Sequence, residues 1–262
     1  GLCNVSPNPM VGAVIVCHGR IIGEGYHIRC GEAHAEVNAI RSVKDESLLK
    51  HSTIYVSLEP CSHYGKTPPC ADLLVEKKLA KVVVGSLDPN PLVAGKGIQK
   101  LKEAGIEVVS GVLEAECNEI NRVFRHYITT KQPYVVMKTA MTLDGKIATA
   151  TGESQWISGE ASRKDVHRLR HKYTGIMVGI NTIIHDNARL TCRMEQGKNP
   201  VRIVVDSCLR IALTSNVLKD QENNQTILAT TNQASPLAAR KLETFGSKVL
   251  YCSSKDNRVD LN

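Results

Sequence analysis

The sequence is poor in aromatic residues and contains no long apolar run. Phe, Tyr and Trp together make up 4% of its 262 residues, with two Phe and one Trp. Proteins that bind single-stranded nucleic acids stack bases on aromatic side chains, so this scarcity argues against a nucleic-acid partner. No stretch approaches the roughly 18–20 consecutive apolar residues of a membrane-spanning helix, and we therefore expect no membrane partner.

Internal repeats and low-complexity tracts are also absent, and the composition is that of an ordinary globular protein. Apolar residues make up 42% and charged residues 23% of the chain, which argues against global disorder. The nine cysteines are an odd number, spread along the whole sequence. Because disulfide frameworks are typical of short secreted domains, we expect reduced thiols and a cytoplasmic location.

The net charge of +7 is unevenly distributed. Residues 1–131 hold 15 Lys and Arg against 14 Asp and Glu, whereas residues 132–262 hold 18 against 12. A basic surplus is typical of proteins that bind nucleic acids and also of sites for phosphorylated small molecules. The surplus belongs to the second half of the chain and does not by itself choose between these two ligand classes.

Strand-like and helix-like segments alternate along the chain, which predicts an α/β layer fold. The length favours two domains, and the polar stretch Thr129–Pro133 predicts a first domain over 1–131 and a second over 132–262. Predicted strands are Val11–Val16, Ile21–Tyr26, Thr53–Leu58, Val82–Gly85, Ile106–Val109, Tyr134–Lys138, Gly175–Gly179, Val201–Val205, Thr226–Ala229 and Lys248–Tyr251. Predicted helices are Ala33–Val43, Cys70–Leu79, Gly97–Ala104, Glu114–Tyr127, Glu160–Lys172 and Pro236–Phe245.

One histidine and two cysteines have the spacing of a catalytic zinc site. His34 lies two residues before Glu36, and Cys61 follows a proline and precedes Cys70 by nine positions. Three such ligands leave the fourth tetrahedral position of zinc to water, whose pKa the metal lowers. Glu36 is predicted to move protons between that water and a leaving amine, as the corresponding Glu does in zinc deaminases.

Two further features of this segment carry predictions. Cys70 opens a predicted helix, and the helix dipole favours a thiolate there. His63 lies between the two cysteines. We interpret it as a loop residue that contacts substrate, because a fourth protein ligand would close the metal to water.

Other interpretations of the same residues stay open at this point. Each residue alone is more often a helix cap or a small core side chain than a ligand. A deaminase acting on tRNA, single-stranded DNA or free nucleosides is one alternative, although the first half is nearly neutral. A non-catalytic zinc-binding or ligand-binding protein is another, although a structural zinc site has no use for Glu36.

Several segments of the first half resemble a known family. They are His34-Ala35-Glu36, the run Pro60-Cys61-Ser62-His63-Tyr64-Gly65-Lys66-Thr67-Pro68-Pro69-Cys70, the stretch Ser6-Pro7-Asn8-Pro9-Met10-Val11-Gly12-Ala13-Val14 and Gly25-Tyr26-His27. Cytidine and tRNA adenosine deaminases typically keep a much shorter spacing between the cysteines. The longer spacing, with its Gly-Lys-Thr-Pro-Pro insert, resembles the deaminase domain of the RibD family of bifunctional riboflavin biosynthesis enzymes.

This resemblance implies a cytidine-deaminase-like three-layer α/β/α domain. It implies zinc-hydroxide deamination of 2,5-diamino-6-ribosylamino-4(3H)-pyrimidinone 5′-phosphate, with His34, Cys61 and Cys70 as zinc ligands and Glu36 as the catalytic acid/base. It also implies that Asn8, His27 and His63 contact this phosphorylated pyrimidine substrate. We expect the protein to be a homo-oligomer.

The second half resembles the reductase domain of the same family. Residues 138–148 and 152–157 carry the likeness, and a predicted helix with Arg163, Lys164, Arg168, Arg170 and Lys172 follows them. Such a helix either exposes a charged face to solvent or provides Arg side chains that donate paired hydrogen bonds to phosphate oxygens. The family has a dihydrofolate-reductase-like α/β fold and uses NADPH to convert the ribosylamino group to ribitylamino. The resemblance implies cofactor contacts at Ala140, Trp156, Thr182, Asp186 and Ser207, and substrate contacts at Ser154, Arg170, Leu190 and Arg193.

The second half also departs from the family pattern. His185-Asp186-Asn187 stands where the family often has Asp-Asp-Pro, so the loop before Leu190 is expected to have a different backbone. The family's late acidic substrate contact and Gly-rich phosphate loop would lie beyond Asn262. Because the sequence opens on Gly1 and ends just after a strand-like segment, we expect both ends, and with them the reductase domain, to be incomplete.

Overall fold

A computed structural model describes residues 1–65, 68–91 and 93–261. The chain divides into two compact units, Gly1–Met137 and Lys138–Asn262, and each is described by itself. The boundary predicted after residue 131 lies a few residues before this division. Lys66 and Thr67, from the predicted Gly-Lys-Thr-Pro-Pro insert, fall outside the described residues. Among the described residues, no helix is long and apolar enough to cross a membrane.

The first unit is built on a five-stranded mixed sheet with the order β2-β1-β3-β4-β5. Strand β1 is antiparallel to both of its neighbours, whereas β3, β4 and β5 are parallel. The strands are β1 (Gly12–Cys17), β2 (Arg20–Tyr26), β3 (Ser52–Leu58), β4 (Lys81–Ser86) and β5 (Glu107–Ser110). Strands β1 and β2 form a hairpin, whose turn residues His18 and Gly19 have φ of 48° and 74°, as a two-residue type I′ turn requires.

Five α-helices and a 3-10 helix accompany this sheet. They are α1 (Ala35–Arg41), the 3-10 helix Glu46–His51, α2 (Cys70–Glu76), α3 (Lys96–Glu103), α4 (Glu114–Ile120) and α5 (Arg122–Thr130). The prediction of a single helix over Glu114–Tyr127 is wrong, because the helix is interrupted at Asn121, where φ is −105° and ψ is 16°. The Asn121 side chain bonds to the backbone of Met10 instead of facing solvent.

The core of the first unit places α1 directly on the sheet. Alternate residues of β1 are buried, and Ile15 and Ile54 are fully enclosed. Helix α1 approaches β2 so closely that a Cβ atom at Gly25 would lie 2.3 Å from the backbone nitrogen of Ala39. This contact needs a residue without a side chain, and it fixes the start of α1 against the sheet.

The second unit contains a four-stranded parallel sheet with the order β6-β7-β8-β9. Its strands are β6 (Gly175–Gly179), β7 (Val201–Val205), β8 (Thr226–Thr230) and β9 (Lys248–Tyr251), followed by the short pair β10 (Ser254–Lys255) and β11 (Arg258–Val259). Its helices are α6 (Glu160–Lys172), α7 (Ile180–Asp186), the 3-10 helix Asn216–Leu218 and α8 (Pro236–Thr244). Val204, Leu228 and Leu242 lie at the centre of its core.

One prediction for the second half is wrong, and one helix was not predicted. The strand predicted over Tyr134–Lys138 does not form: residues 131–159 are described and contain no helix or strand, and Met137 is 86% exposed. An apolar run becomes a strand only when a neighbouring strand takes its backbone hydrogen bonds. Helix α7 was not predicted, because its three isoleucines and one threonine have the composition of a strand.

The core of the second unit allows a matched stability test on one helix. Leu242 of α8 is 2% exposed, whereas Leu237 of the same helix is 64% exposed. We expect Leu242→Ala to lower the free energy of unfolding by about 2–5 kcal/mol, because it leaves a cavity. Leu237→Ala should change it by no more than about 0.5 kcal/mol. Urea unfolding followed by circular dichroism measures both; equal losses for the two variants would contradict the assigned core.

Candidate active site

Two helix starts and the loop after a strand bring a histidine and two cysteines of the first unit together. His34 is the residue before α1, Cys61 follows β3, and Cys70 is the first residue of α2. Their ligand atoms all lie within 4.8 Å of one another. Nδ1 of His34 is 3.6 Å from Sγ of Cys61 and 3.3 Å from Sγ of Cys70. Among the described residues, this is the one cluster of three or more such ligands.

The donor set fits a zinc ion. One imidazole nitrogen and two sulfurs are ligands that zinc prefers, and three protein ligands leave one tetrahedral position open. His63, which lies between the two cysteines in sequence, is exposed and is not a member of the cluster.

The two sulfurs share their proton unequally. The pKa of Cys61 is lowered to about 4, chiefly because the Cys70 thiol donates a hydrogen bond to its sulfur. The backbone N–H of Cys70, at the start of α2, also donates to this sulfur at 3.2 Å. The hydrogen bond with Cys61 and burial raise the pKa of Cys70. The N–H at the start of α2 thus faces the sulfur of Cys61, and the thiolate expected at Cys70 stays a prediction.

Glu36 is enclosed beside this cluster. It is the second residue of α1 and is 3% exposed. Burial disfavours its charged form and raises its pKa to about 7. The hydrogen bond with Cys61 also raises the pKa of His34. A carboxyl group with this pKa can both accept and release a proton near neutral pH.

Asn8 and His27 form a hydrogen-bonded pair next to the cluster. The side-chain nitrogen of Asn8 lies 3.1 Å from Nε2 of His27, and Nδ1 of His27 lies 3.1 Å from the carbonyl oxygen of Ala33. A carbonyl oxygen only accepts, so Nδ1 of His27 carries the proton and Nε2 accepts from Asn8. The His27 ring meets the His34 ring edge-on, with the centroids 5.3 Å apart.

A cavity of about 280 Å³ opens beside this pair. Its walls include Met10, Gly12, Tyr26, His27 and Ser57. Its volume is near the lower end of the range for small-molecule sites. His27 thus lines this cavity and meets the predicted metal ligand His34, while Asn8 is bonded to His27.

Glu59, which was not predicted from the sequence, organises the loops around Cys61. The buried Glu59 carboxylate accepts backbone N–H groups from Asp88 and Ile98 at 3.3 Å, and from Gly95 and Gly97 at 2.9 Å. These residues lie between β4 and the start of α3. A Glu that directly precedes Pro-Cys at the end of a buried strand was the available signal.

Close packing reinforces this connection. A Cβ atom at Gly97 would lie 2.0 Å from the carbonyl oxygen of Pro60. The first turn of α3 therefore rests directly on the residue before Cys61. Asp88, in the loop after β4, was not predicted either: burial raises the pKa of its carboxyl, while the hydrogen bond from the Asn90 backbone and the charge of Arg125 oppose the shift.

In the second unit, three of the predicted substrate contacts lie close together. Arg170 of α6 is half-buried and donates to the carbonyl oxygen of Thr191 at 2.8 Å. Burial lowers its pKa, and so does the neighbouring positive charge of Arg193. Leu190 is buried and adopts a left-handed backbone with φ of 56°. Arg170, Leu190 and Arg193 thus form a basic corner between α6 and the segment after α7.

The predicted cofactor contacts are spread over several elements. Thr182 and Asp186 lie on α7, which follows β6, and Ser207 lies just after β7. Because β6 and β7 pair in parallel, with Gly179 opposite Val205, α7 and Ser207 both follow the carboxyl ends of neighbouring strands. That edge is where open α/β sheets bind ligands.

One buried polar atom at this edge is available to a ligand. Asp206 is fully buried; its Oδ2 accepts the backbone N–H of Ile211, whereas its Oδ1 has no partner among the described residues. The residues at this edge therefore fit a polar cofactor. Ala140, Ser154 and Trp156 lie on the irregular segment before α6, and the Trp156 ring packs 4.4 Å from the Arg163 guanidinium.

Comparison with known proteins divides the chain between two family models. Residues 3–86 match the cytidine and deoxycytidylate deaminase zinc-binding region, and residues 133–262 match the RibD C-terminal domain. The first match contains the three clustered ligands and Glu36. The second contains the whole parallel sheet of the second unit.

Whole-chain relatives agree with these matches. The riboflavin biosynthesis protein RibD of Actinobacillus pleuropneumoniae is 50% identical over 264 residues, which cover 100% of this chain and 69% of that protein. RibD of Aquifex aeolicus is 47% identical over 245 residues, covering 93% of this chain and 67% of that protein. RibD of Bacillus amyloliquefaciens is 51% identical over 82% of this chain and 57% of that protein.

Solved structures give the same relationship. RibD of Acinetobacter baumannii superposes with a TM-score of 0.84 at 41% identity, covering 96% of this chain and 69% of that one. A Thermotoga maritima diaminohydroxyphosphoribosylaminopyrimidine deaminase/5-amino-6-(5-phosphoribosylamino)uracil reductase superposes with a TM-score of 0.83 at 39% identity, covering 97% and 77%. The predicted fold class, a cytidine-deaminase-like domain followed by a dihydrofolate-reductase-like domain, is thereby confirmed. The chain belongs to the RibD family of riboflavin biosynthesis proteins, with a zinc-binding deaminase domain and an NADPH-dependent reductase domain.

Proposed function

We propose that the first unit deaminates a phosphorylated diaminopyrimidine and that the second unit reduces the ribosylamino side chain of the product. The observation that carries the proposal is the joint placement of the His34, Cys61 and Cys70 ligand atoms, within 4.8 Å of one another, with a buried carboxyl group beside them. A structural zinc site needs ligands but no enclosed acid. This arrangement favours hydrolytic chemistry over a non-catalytic zinc protein.

In this proposal, His34, Cys61 and Cys70 would hold a zinc ion, and three protein ligands would leave room for water. The chemistry that zinc supplies there is activation of water near neutral pH. Glu36 accepts a proton as water adds to the carbon that carries the amino group, and then donates it to the departing nitrogen. Ammonia leaves, and a carbonyl group replaces the amine. The raised pKa of Glu36 supports both proton transfers.

Asn8 and His27 are proposed to orient the pyrimidine. Because the amide nitrogen of Asn8 faces Nε2 of His27, its carbonyl oxygen is the atom left to accept a hydrogen bond from the ring or its amino group. His27 is in turn held by the carbonyl oxygen of Ala33, the residue before His34. His63 is proposed to contact the substrate from the loop between the two cysteines.

For the reductase step we propose two adjoining subsites. Thr182, Asp186 and Ser207 would hold NADPH at the carboxyl ends of β6 and β7, with Ala140 and Trp156 contributing from the segment before α6. Ser154, Arg170, Leu190 and Arg193 would hold the phosphorylated sugar. The chemistry that NADPH supplies is hydride donation. The surplus positive charge of residues 132–262 supports binding of these two anionic ligands.

The proposal also covers the class of ligand, the cellular location and the assembly. We infer that the ligand is a small molecule rather than a nucleic acid, since the deaminase half is nearly neutral and poor in aromatic residues. We place the protein in the cytoplasm, because Cys61 and Cys70 bind metal only in their reduced form. A homo-oligomer is the assembly we expect; sedimentation of the purified chain tests it.

The proposed zinc ligands predict a selective loss of metal. Cys61→Ser should reduce bound zinc from about one ion per chain to below about a tenth, because a hydroxyl replaces a thiolate ligand. Cys30→Ser is the matched control, since Cys30 is a half-buried cysteine of the same unit outside the ligand cluster. Elemental analysis of both purified variants measures the ratio. Full zinc occupancy in Cys61→Ser would contradict the assignment.

The proposed role of Glu36 predicts a variant that binds metal but does not turn over. Glu36→Gln keeps the shape of the side chain and removes its proton transfer, so we expect kcat for ammonia release to fall about 10²–10⁴-fold with zinc content unchanged. Glu76→Gln, on the exposed end of α2, should behave as wild type. Ammonia release from the diaminopyrimidine phosphate is the measurement. Wild-type kcat in Glu36→Gln would rule out the mechanism.

The proposed phosphate site predicts different effects for two cations on α6. Arg170→Ala should raise KM for the phosphorylated reductase substrate about tenfold or more, since charge-assisted bonds to phosphate are lost. Lys172→Ala, an exposed cation of the same helix, should change KM less than about twofold. The rate of NADPH absorbance loss gives both values. Equal effects would show that α6 offers only a diffuse charged face.

A further inference from the structure

Helices α4 and α5 lie in a part of the chain that neither family model matches. The matched regions are residues 3–86 and 133–262, whereas α4 begins at Glu114 and α5 ends at Thr130. The segment nevertheless reaches the cavity beside His27, because Ile120, the last residue of α4, forms part of its wall. The helices are therefore more than a connection between the two matched regions.

Asn121, at the break between the two helices, is bonded to the opposite wall of that cavity. Its side-chain oxygen accepts the backbone N–H of Met10 at 2.8 Å. Its side-chain nitrogen donates to the backbone carbonyl oxygen of Met10 at 2.9 Å. The amide thus pairs with Met10 as a neighbouring strand would, across 111 positions of sequence. Asn121 is 2% exposed, so solvent does not replace these bonds if they are lost.

Met10 lies on a short segment that carries much of the proposed pyrimidine site. Asn8, two residues before it, is bonded to His27, and Gly12, two residues after it, donates its backbone N–H to Ser57 Oγ at 3.0 Å. Met10, Gly12, His27 and Ser57 all line the cavity. Fixing both polar groups of the Met10 backbone therefore fixes the position of the Asn8 side chain relative to His27.

The same helix pair also contacts the loop after β4 on another side of the first unit. Arg125 of α5 donates to the carbonyl oxygen of Leu87 at 3.2 Å, next to Asp88. Cys117 of α4 packs against Gly85, where an added Cβ atom would lie 2.3 Å from its sulfur. The α4–α5 pair is thus attached to the end of β4 as well as to Met10, which makes it a rigid support.

We propose that Asn121 is a positioning residue of the deaminase, and that through it the α4–α5 pair sets the affinity for the pyrimidine. This inference rests on the proposed function, since it takes Asn8 as a contact of the pyrimidine. Asn121 touches neither the predicted metal ligands nor Glu36. It therefore acts on substrate binding through Met10 and Asn8, and leaves zinc binding and proton transfer unchanged.

The test compares Asn121→Ala with Asn118→Ala in the full, zinc-loaded chain. Asn118 is an amide on the same helix, and its side-chain oxygen has no hydrogen-bond partner among the described residues. For Asn121→Ala we expect KM for ammonia release from the diaminopyrimidine phosphate to rise about tenfold, with kcat within about threefold of wild type. The Met10 amide should exchange with deuterium faster without substrate, and zinc content should not change. Asn118→Ala should match wild type in all four quantities.

A second variant distinguishes weaker substrate binding from loss of the fold. Asn121→Asp keeps the size of the side chain and one acceptor for the Met10 N–H but loses the donor, so KM should rise in the same direction. An unchanged KM in a folded Asn121 variant, or an equal rise in Asn118→Ala, would overturn the inference. Absence of ammonia release from the wild-type chain would instead contradict the proposed function, and it is read before any variant is compared.

Discussion

The deaminase unit depends on holding three ligand atoms from three separate chain segments inside one coordination shell. Two sulfurs and an imidazole nitrogen lie within 4.8 Å of one another, although 36 positions separate His34 from Cys70. Sulfurs this close repel each other when both are ionised; the hydrogen bond between them lowers the pKa of Cys61 and raises that of Cys70, which keeps its proton. Metal binding must release that proton, so metal affinity and protonation are linked in this fold.

Buried polar side chains supply the rigidity that this shell needs. The Glu59 carboxylate accepts hydrogen bonds from four backbone N–H groups near Pro60. The Asn121 amide forms hydrogen bonds with both backbone groups of Met10. Each replaces the strand or helix that would otherwise satisfy these backbone groups. Loops around the cavity are thereby fixed without regular secondary structure, which leaves their side chains free to face a ligand.

Most of the fold and the metal cluster followed from local patterns in the sequence. Short apolar segments predicted the strands of both sheets, and the spacing of His34, Cys61 and Cys70 predicted ligands that the structure brings together. The structural roles of Glu59 and Asn121 were not predicted, because their hydrogen-bond partners lie 29–39 and 111 residues away along the chain. No local sequence pattern encodes such contacts.

The errors in the second half have the same origin. The apolar residues of Tyr134–Lys138 look like a strand, but strand formation depends on a pairing partner rather than on composition. Helix α7 was missed because tertiary contacts override the strand preference of isoleucine. Local sequence thus determined the type of most elements, whereas the partner of each element decided whether it formed.

X-ray absorption at the zinc edge of the loaded protein tests the central claim, an open three-ligand site, most directly. We expect two sulfurs at about 2.3 Å from the zinc, one histidine nitrogen at about 2.0–2.1 Å and one further light atom that the chain does not supply. Addition of an inhibitor that mimics the hydrated pyrimidine should alter that last ligand alone. A zinc coordination shell with a second histidine or a third sulfur, unchanged by the inhibitor, would contradict an open three-ligand site.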